Sequence, residues 1–313
     1  MKIELIKIKL FSVLICIFMF YSCDPEHRET IEPEKPSIEN PEEPEGPESP
    51  DEPEIPSTNT IINLNNEFMI VGSNSWNSVA YGNGIFVVGG SEGYVTTSTD
   101  EGKTWSTPKQ LVTIGSWSNV IYANGSFMML NFHNGKLATS TDGTIWTIGD
   151  TYSLSYWRSL AYGNGIYVAV GPSNGIMMTS SDGKTWTKKT VGSITWKDVA
   201  YGNGIFIAIA DGYYFTTSTD GITWTNPKRI SNAERGYNII TFGNGKFVVA
   251  EGYRGNTQTT TDGVTWTTPN TSSGNHSWQD IAAGNGKFIL VGNSGYIATS
   301  TDGITWAPTQ IKD

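Results

Sequence analysis

Residues 157–186 read WRSLAYGNGIYVAVGPSNGIMMTSSDGKTW, and the same phrase returns along the chain with small changes. The copies occupy 76–105, 117–146, 157–186, 196–224, 237–266 and 278–306. Their closing tryptophans, Trp105, Trp146, Trp186, Trp224, Trp266 and Trp306, are spaced by 41, 40, 38, 42 and 40 residues. The opening aromatic keeps the same period, with Tyr237 once replacing tryptophan. Each copy divides into four short strands: W-x-x-V-A-Y, G-x-F-V-A-V-G, G-Y-I-A-T-S and a last one starting at T-W-T. Turns such as Gly82-Asn83-Gly84 and Gly163-Asn164-Gly165 join the first two, because asparagine and glycine tolerate the positive φ of tight hairpins. No stretch of ten residues carries a 3.6-residue period, so almost no helix is expected. Four antiparallel strands every forty residues or so match a propeller blade, and radial closure leaves only short, protected edges. A β-solenoid is the competing arrangement, but it has shorter coils and needs caps. The sequence predicts an all-β, six-bladed β-propeller of four-stranded antiparallel blades over 58–313.

Closure of the ring is less determined. Phe68-Met69-Ile70-Val71-Gly72-Ser73 aligns with the fourth-strand region before other copies and could complete the last blade beside Ile304-Thr305-Trp306. The C-terminal tail can also supply that strand by itself. A seventh blade built from terminal pieces is the alternative count.

The chain around the repeats is of another kind. Of its 313 residues, 24–57 hold 13 acids, 2 bases and nine prolines, which accounts for the net charge of -10. Like charges repel and proline favours an extended polyproline II backbone, so this segment is read as a stalk of roughly 100 Å at full extension. Residues 58–313 are nearly neutral, with no basic stripe to neutralise phosphates, and nucleic acid is not an expected partner. Both cysteines, Cys16 and Cys23, lie in the first 23 residues, so no disulfide framework or cysteine metal site supports the repeats.

Residues 1–23 carry a short basic region, an apolar run from Leu10 to Tyr21, then Ser22-Cys23. The run is too short to span a bilayer comfortably. It resembles a bacterial lipoprotein signal with a relaxed lipobox, in which Phe20 replaces the usual leucine. The resemblance implies that Cys23 becomes the lipidated N-terminus, anchoring the chain to the cell envelope, at the outer membrane and exposed at the surface. A cleaved secretory signal is the plainer reading.

Ser98-Thr99-Asp100-Glu101-Gly102-Lys103-Thr104-Trp105 fits S-x-D-x-G-x-T-W, and the other copies, such as Ser180-Ser181-Asp182-Gly183-Lys184-Thr185-Trp186, are one residue shorter. Thr260 replaces serine before Asp262. The motif resembles the Asp box of the BNR-repeat, sialidase-like propellers. This implies structural roles for Asp100, Asp142, Asp182, Asp220, Asp262 and Asp302, whose carboxylates accept turn amides, and for the six tryptophans, which pack between blades. Trp186 is expected to be largely buried there. The resemblance also places these hairpins on the side away from an active site.

No catalytic residue is assigned. Sialidases use an arginine triad, a tyrosine nucleophile with a glutamate partner and an acid–base aspartate, whereas the repeats hold only Arg158, Arg229, Arg235 and Arg254. No zinc-protease, nucleophile-elbow or phosphate-loop motif is present. His133 and His276 are each alone, so neither a metal nor a cofactor is expected. Chemistry is sought instead in the loops opposite the Asp boxes, where the copies differ. Phe132, His133, Asp211, Glu251, Tyr253 and Arg254 are the candidate ligand-binding residues there, and the blade links add Tyr152, Tyr156, Arg235 and His276. Aromatic rings beside acids and amides suit stacking on sugars or anchoring a protein. The expected function is a monomeric, non-catalytic, membrane-tethered binding module for a glycan or an extracellular protein. A divergent glycoside hydrolase or lyase and an envelope assembly or scaffold protein are the alternatives.

Overall fold

The structure is a computed structural model that describes residues 74–149, 156–171, 174–230, 236–252, 255–270, 273–274 and 276–310. The signal segment with Cys23, the acidic segment 24–57, Phe68–Ser73, and Tyr253 and Arg254 lie outside the described residues. Among the described residues no helix is long and apolar enough to cross a membrane.

The six copies fold as six antiparallel sheets. The fourth blade is representative: Trp196–Gly202, Ile205–Ala210, Tyr214–Ser218 and Lys228–Arg229 pair in chain order. Five sheets have four strands, and the fifth has three, Ile239–Gly243, Lys246–Ala250 and Thr257–Thr260. Only a bridge from Thr257 to Asn270 occupies its fourth-strand place. Pro269, with no N–H to donate to a ladder, stands beside that bridge. The last blade takes its fourth strand, Ala307–Gln310, from the C-terminal tail, as the sequence allowed. Among the described residues the helical segments are three short 3-10 turns between second and third strands.

First strands pack against one another from blade to blade, so they lie innermost, while the fourth strands are largely exposed at the rim. Apolar side chains from adjacent blades merge into shared clusters. Val168, Val170 and Met177 of the third blade, for example, meet Trp196, Val199 and Phe206 of the fourth. The closest approaches need glycine: a Cβ on Gly163 would sit 2.0 Å from the Tyr201 ring, and one on Gly202 2.1 Å from Phe242. The aromatic that ends one first strand therefore lies flat on the backbone of the blade before it.

The tryptophans divide differently from expectation. The opening residues Trp76, Trp117, Trp157, Trp196 and Trp278, with Tyr237, are all buried. Of the closing set only Trp306 is buried, and Trp186 is half-buried. Trp186 does pack on a cluster shared by the second and third blades, 6.3 Å from the Tyr167 ring. It sits at the end of the barrel of blades, where its indole N–H must reach the turn carbonyl of Gly183, and so one face stays in water.

Candidate functional site

The two ends of the propeller are built by different rules. At one end the hairpin between third and fourth strands closes on an aspartate. In the third blade Asp182 Oδ1 accepts the Ser180 hydroxyl at 2.9 Å and the N–H groups of Lys184 and Thr185 at 2.8 and 2.7 Å. Ser180 Oγ in turn accepts the Gly183 N–H at 2.9 Å. The first blade, one residue longer, keeps the logic: Asp100 accepts both the N–H and the hydroxyl of Thr104. Donors aimed at the ionised form hold all six carboxyls below the usual range, Asp142, Asp220 and Asp262 among them at about 2. These turns also tie blades together, since Asn203 of one Gly-Asn-Gly hairpin donates to the Thr261 carbonyl of the next blade's turn at 3.0 Å. Each aspartate is engaged by its own loop.

The opposite end gathers the second-to-third-strand loops and the links between blades. Backbone bonds join the two sets, as from Ser91 N–H to the Ser75 carbonyl, Phe132 N–H to Ser116 and Gly175 N–H to Ile194. Among the described candidate residues, Phe132 with His133 and Asp211 stand on different blades at this end. Phe132 and His133 stand on the second blade, their rings 5.1 Å apart and edge-on. Asp211 of the fourth blade is tied to Lys197 at 3.0 Å. Lys197 is the extra residue of a β-bulge between Trp196 and Asp198, which turns its side chain out of the ladder toward that loop.

Glu251 corrects an expectation. The sequence presents it as an acid of the variable fifth-copy loop, but it is only 1% exposed. Its position follows Ala250 where other blades carry Gly90, Gly171 or Gly292, and there a Cβ on Gly90 or Gly292 would collide with the opening tryptophan ring. The position is not closed to side chains, since Asn131 and Ala210 occupy it opposite Trp117 and Trp196 and are buried as Glu251 is. One Glu251 oxygen accepts from the Asn256 amide, and Oε1 has no partner. His276 is also engaged, stacked on Tyr296 at 3.7 Å. Tyr152 and Arg235 lie outside the described residues, with Tyr253 and Arg254.

Two functional-looking residues escaped the sequence reading. Asp198 and Asp280 occupy the position two after the opening tryptophan on the innermost strands of the fourth and sixth blades. Asp198 accepts the Val199 N–H at 2.8 Å and, across the blade junction, the Ile240 N–H at 2.9 Å. Ser78 does the same for the Val120 N–H at 3.0 Å. The position is thus a hydrogen-bond latch between blades that serine or aspartate can fill. Desolvation raises the Asp198 carboxyl to about 7, and the charge of Asp280 adds to the rise. Asp280 is raised to about 6, also by desolvation, although its side chain keeps a solvent-facing surface. The signal was available: that position reads Ser78, Asn119, Ser159, Asp198, Ile239 and Asp280, charged in two copies. Among the described residues no three His, Cys, Asp or Glu side chains converge as metal ligands.

Comparison with known proteins agrees with this architecture. The family described as DUF6242 beta propeller domain matches residues 63–190. The chain is a β-propeller. No curated protein matches the sequence. A solved structure of YCF48 bound to D1 peptide is 17% identical with a TM-score of 0.60, over 74% of this chain and 80% of that one. Virginiamycin B lyase from Staphylococcus aureus is 13% identical with a TM-score of 0.66, over 76% and 85%. The Pan2 WD40 domain of Neurospora crassa is 10% identical with a TM-score of 0.60, over 76% and 80%. At these identities the likeness is one of fold.

Proposed function

We propose that this propeller is a non-catalytic binding module whose loop end, opposite the aspartate turns, engages a protein or glycan partner outside the cytoplasm. One observation carries the reading: the aspartate turns are alike and self-satisfied, whereas the opposite end collects the unlike side chains, Phe132, His133, Tyr156, Arg158, Lys197 and Asp211. Identical groups in six copies serve the fold, and a binding site needs different groups at different angles. Two structural neighbours show that the fold serves either end of the question, one solved with a peptide bound and one a lyase. The Asp-box resemblance fits this division, with the turns as scaffold. In this reading Cys23 is lipidated, residues 24–57 are the stalk and 58–313 the displayed domain, at the surface of a bacterial envelope.

Immobilised full chain should capture a partner from the extracellular or envelope fraction, or bind on a glycan array, and Lys197→Glu or His133→Glu at the loop end should weaken that binding while Asp182→Asn leaves it intact. Binding that follows the turn variants instead would place the site at the other end. For the anchor, Cys23→Ala should release the protein or leave the precursor uncut, and an unmodified mature terminus by mass spectrometry in the wild type would refute it.

A second reading is a divergent hydrolase or lyase, favoured by Asp198 and Asp280, two carboxyls on innermost strands that desolvation holds toward the protonated form. Turnover of polysaccharides abolished by Asp280→Asn would support it.

A further inference from the structure

At the loop end the exposed apolar surface is concentrated around one loop. Ile114 is 67% exposed and Tyr156 55%, and both flank residues 131–136 of the second blade. The other exposed large apolar side chains among the described residues, Tyr81, Ile145, Ile222 and Val264, lie toward the aspartate-turn end. The loop is firmly built from beneath. Asn131 is fully buried; its Oδ1 accepts the N–H groups of His133 and Asn134 at 3.0 and 3.3 Å, and its amide donates to the Ile114 carbonyl at 3.2 Å. Asn134 donates to the same carbonyl at 3.2 Å. The Phe132 carbonyl accepts the Tyr156 N–H from the link into the third blade.

That last bond holds Tyr156 at φ 72°, a left-handed conformation costly for an aromatic residue. The result is that the Tyr156 ring meets Phe132 edge-on at 5.4 Å, while the Arg158 guanidinium lies over the Phe132 face at 5.6 Å. The basic groups here are His133, Lys136 and Arg158, and the segments 111–116, 131–136 and 156–158 contain no acid. Phe132 is half-buried, with Arg158 over its ring and the His133 and Tyr156 rings edge-on to it, contacts that compete with stacking on a sugar. Ile114 offers a sugar no hydroxyl partner. The chemistry left over is an aliphatic and aromatic ledge beside a guanidinium fork that makes no ion pair among the described residues, suited to an apolar group next to an anion.

We propose that this patch docks an extended protein segment in which an aspartate or glutamate stands beside a bulky apolar side chain. The carboxylate takes the outward N–H groups of Arg158, and the apolar side chain lies between Tyr156 and Ile114. The proposal rests on the loop-end reading and names its partner.

A random peptide library displayed on phage, panned against the full chain, tests it. Selected peptides should carry an acid next to an aromatic or branched aliphatic residue. Their affinity by calorimetric titration should fall at least tenfold, about 1.4 kcal/mol, in Arg158→Ala and in Ile114→Ser, and should fall with added salt. Each position is exposed, and an unchanged melting temperature in both variants would show that the loss is not unfolding. Acid-free consensus peptides, or no enrichment at all, would overturn the proposal. So would peptides that bind Arg158→Ala normally but lose affinity in Lys197→Glu, and that result would leave the loop-end reading standing. Affinity lost only in Asp182→Asn would overturn both.

Discussion

The aspartates at the turns and the aspartates at the axis are the same residue in opposite situations. Asp182 is surrounded by N–H and O–H donors but open to water, so its carboxylate is favoured and its proton leaves easily. Asp198 also accepts two N–H groups, yet partial burial between the adjoining blades desolvates it and Asp280 adds a like charge, so its carboxyl is raised to about 7. Hydrogen bonds alone do not set the outcome; the balance between donors and desolvation does. The same contrast separates the tryptophans: those of the first strands are sealed in the core, and those of the turns cap its end.

The sharpest way to break that contrast is to delete one ring of each kind. Trp196 is fully buried, with its indole N–H on the Val191 carbonyl. Trp196→Ala is expected to lower stability by about 3–5 kcal/mol in urea unfolding. Trp186→Ala should cost about half as much, and equal losses would erase the distinction between core and cap.

The second test is the turn carboxylate. Asp302 accepts the Ser300 hydroxyl and the Ile304 and Thr305 N–H groups. Asp302→Ala should cost roughly 1–2 kcal/mol, the scale of losing bonds to a charged acceptor at a turn. Because its pKa is lowered to about 2, the contribution is present above the ordinary aspartate range near 3.8 and is lost as pH falls toward 2. Wild type and variant should therefore converge in thermal midpoint toward pH 2, and a constant gap would argue against a titrating carboxylate.

The axial carboxyl works with the opposite sign. A folded pKa of about 7 against an ordinary value of 3.8 means that the native state holds the extra proton. Stability from this group is full below about pH 4 and is lost as pH rises through about 7. The midpoint of Asp198→Asn minus that of wild type should thus rise between pH 4 and pH 8. A difference flat with pH would show that Asp198 ionises as an exposed aspartate does.

Much of the molecule was legible because a repeat states its own architecture. Six copies of strand, Gly-Asn-Gly turn and aspartate turn leave few alternatives to radially arranged blades, and the turn aspartates were recognised as structural since their bonds are all local. Glu251 was misread because its surroundings are not local. Its burial is set by the blade packing around the end of the second strand, where Asn131 and Ala210 of other copies are buried too, so variation between copies there does not mean display. Asp198 and Asp280 were passed over for the converse reason, since their position looked like an ordinary part of the repeat.

The sequence by itself determined the strand order, the six repeats and the role of the aspartate turns, because those depend on backbone conformation and on hydrogen bonds spanning two to four residues. Only the tertiary structure decided which acids are buried, which tryptophans form the core, and that Ile114, Phe132, Tyr156 and Arg158 share one patch. Those properties depend on contacts between blades some forty residues apart, where burial and proton affinity are set by neighbours that the local sequence does not name.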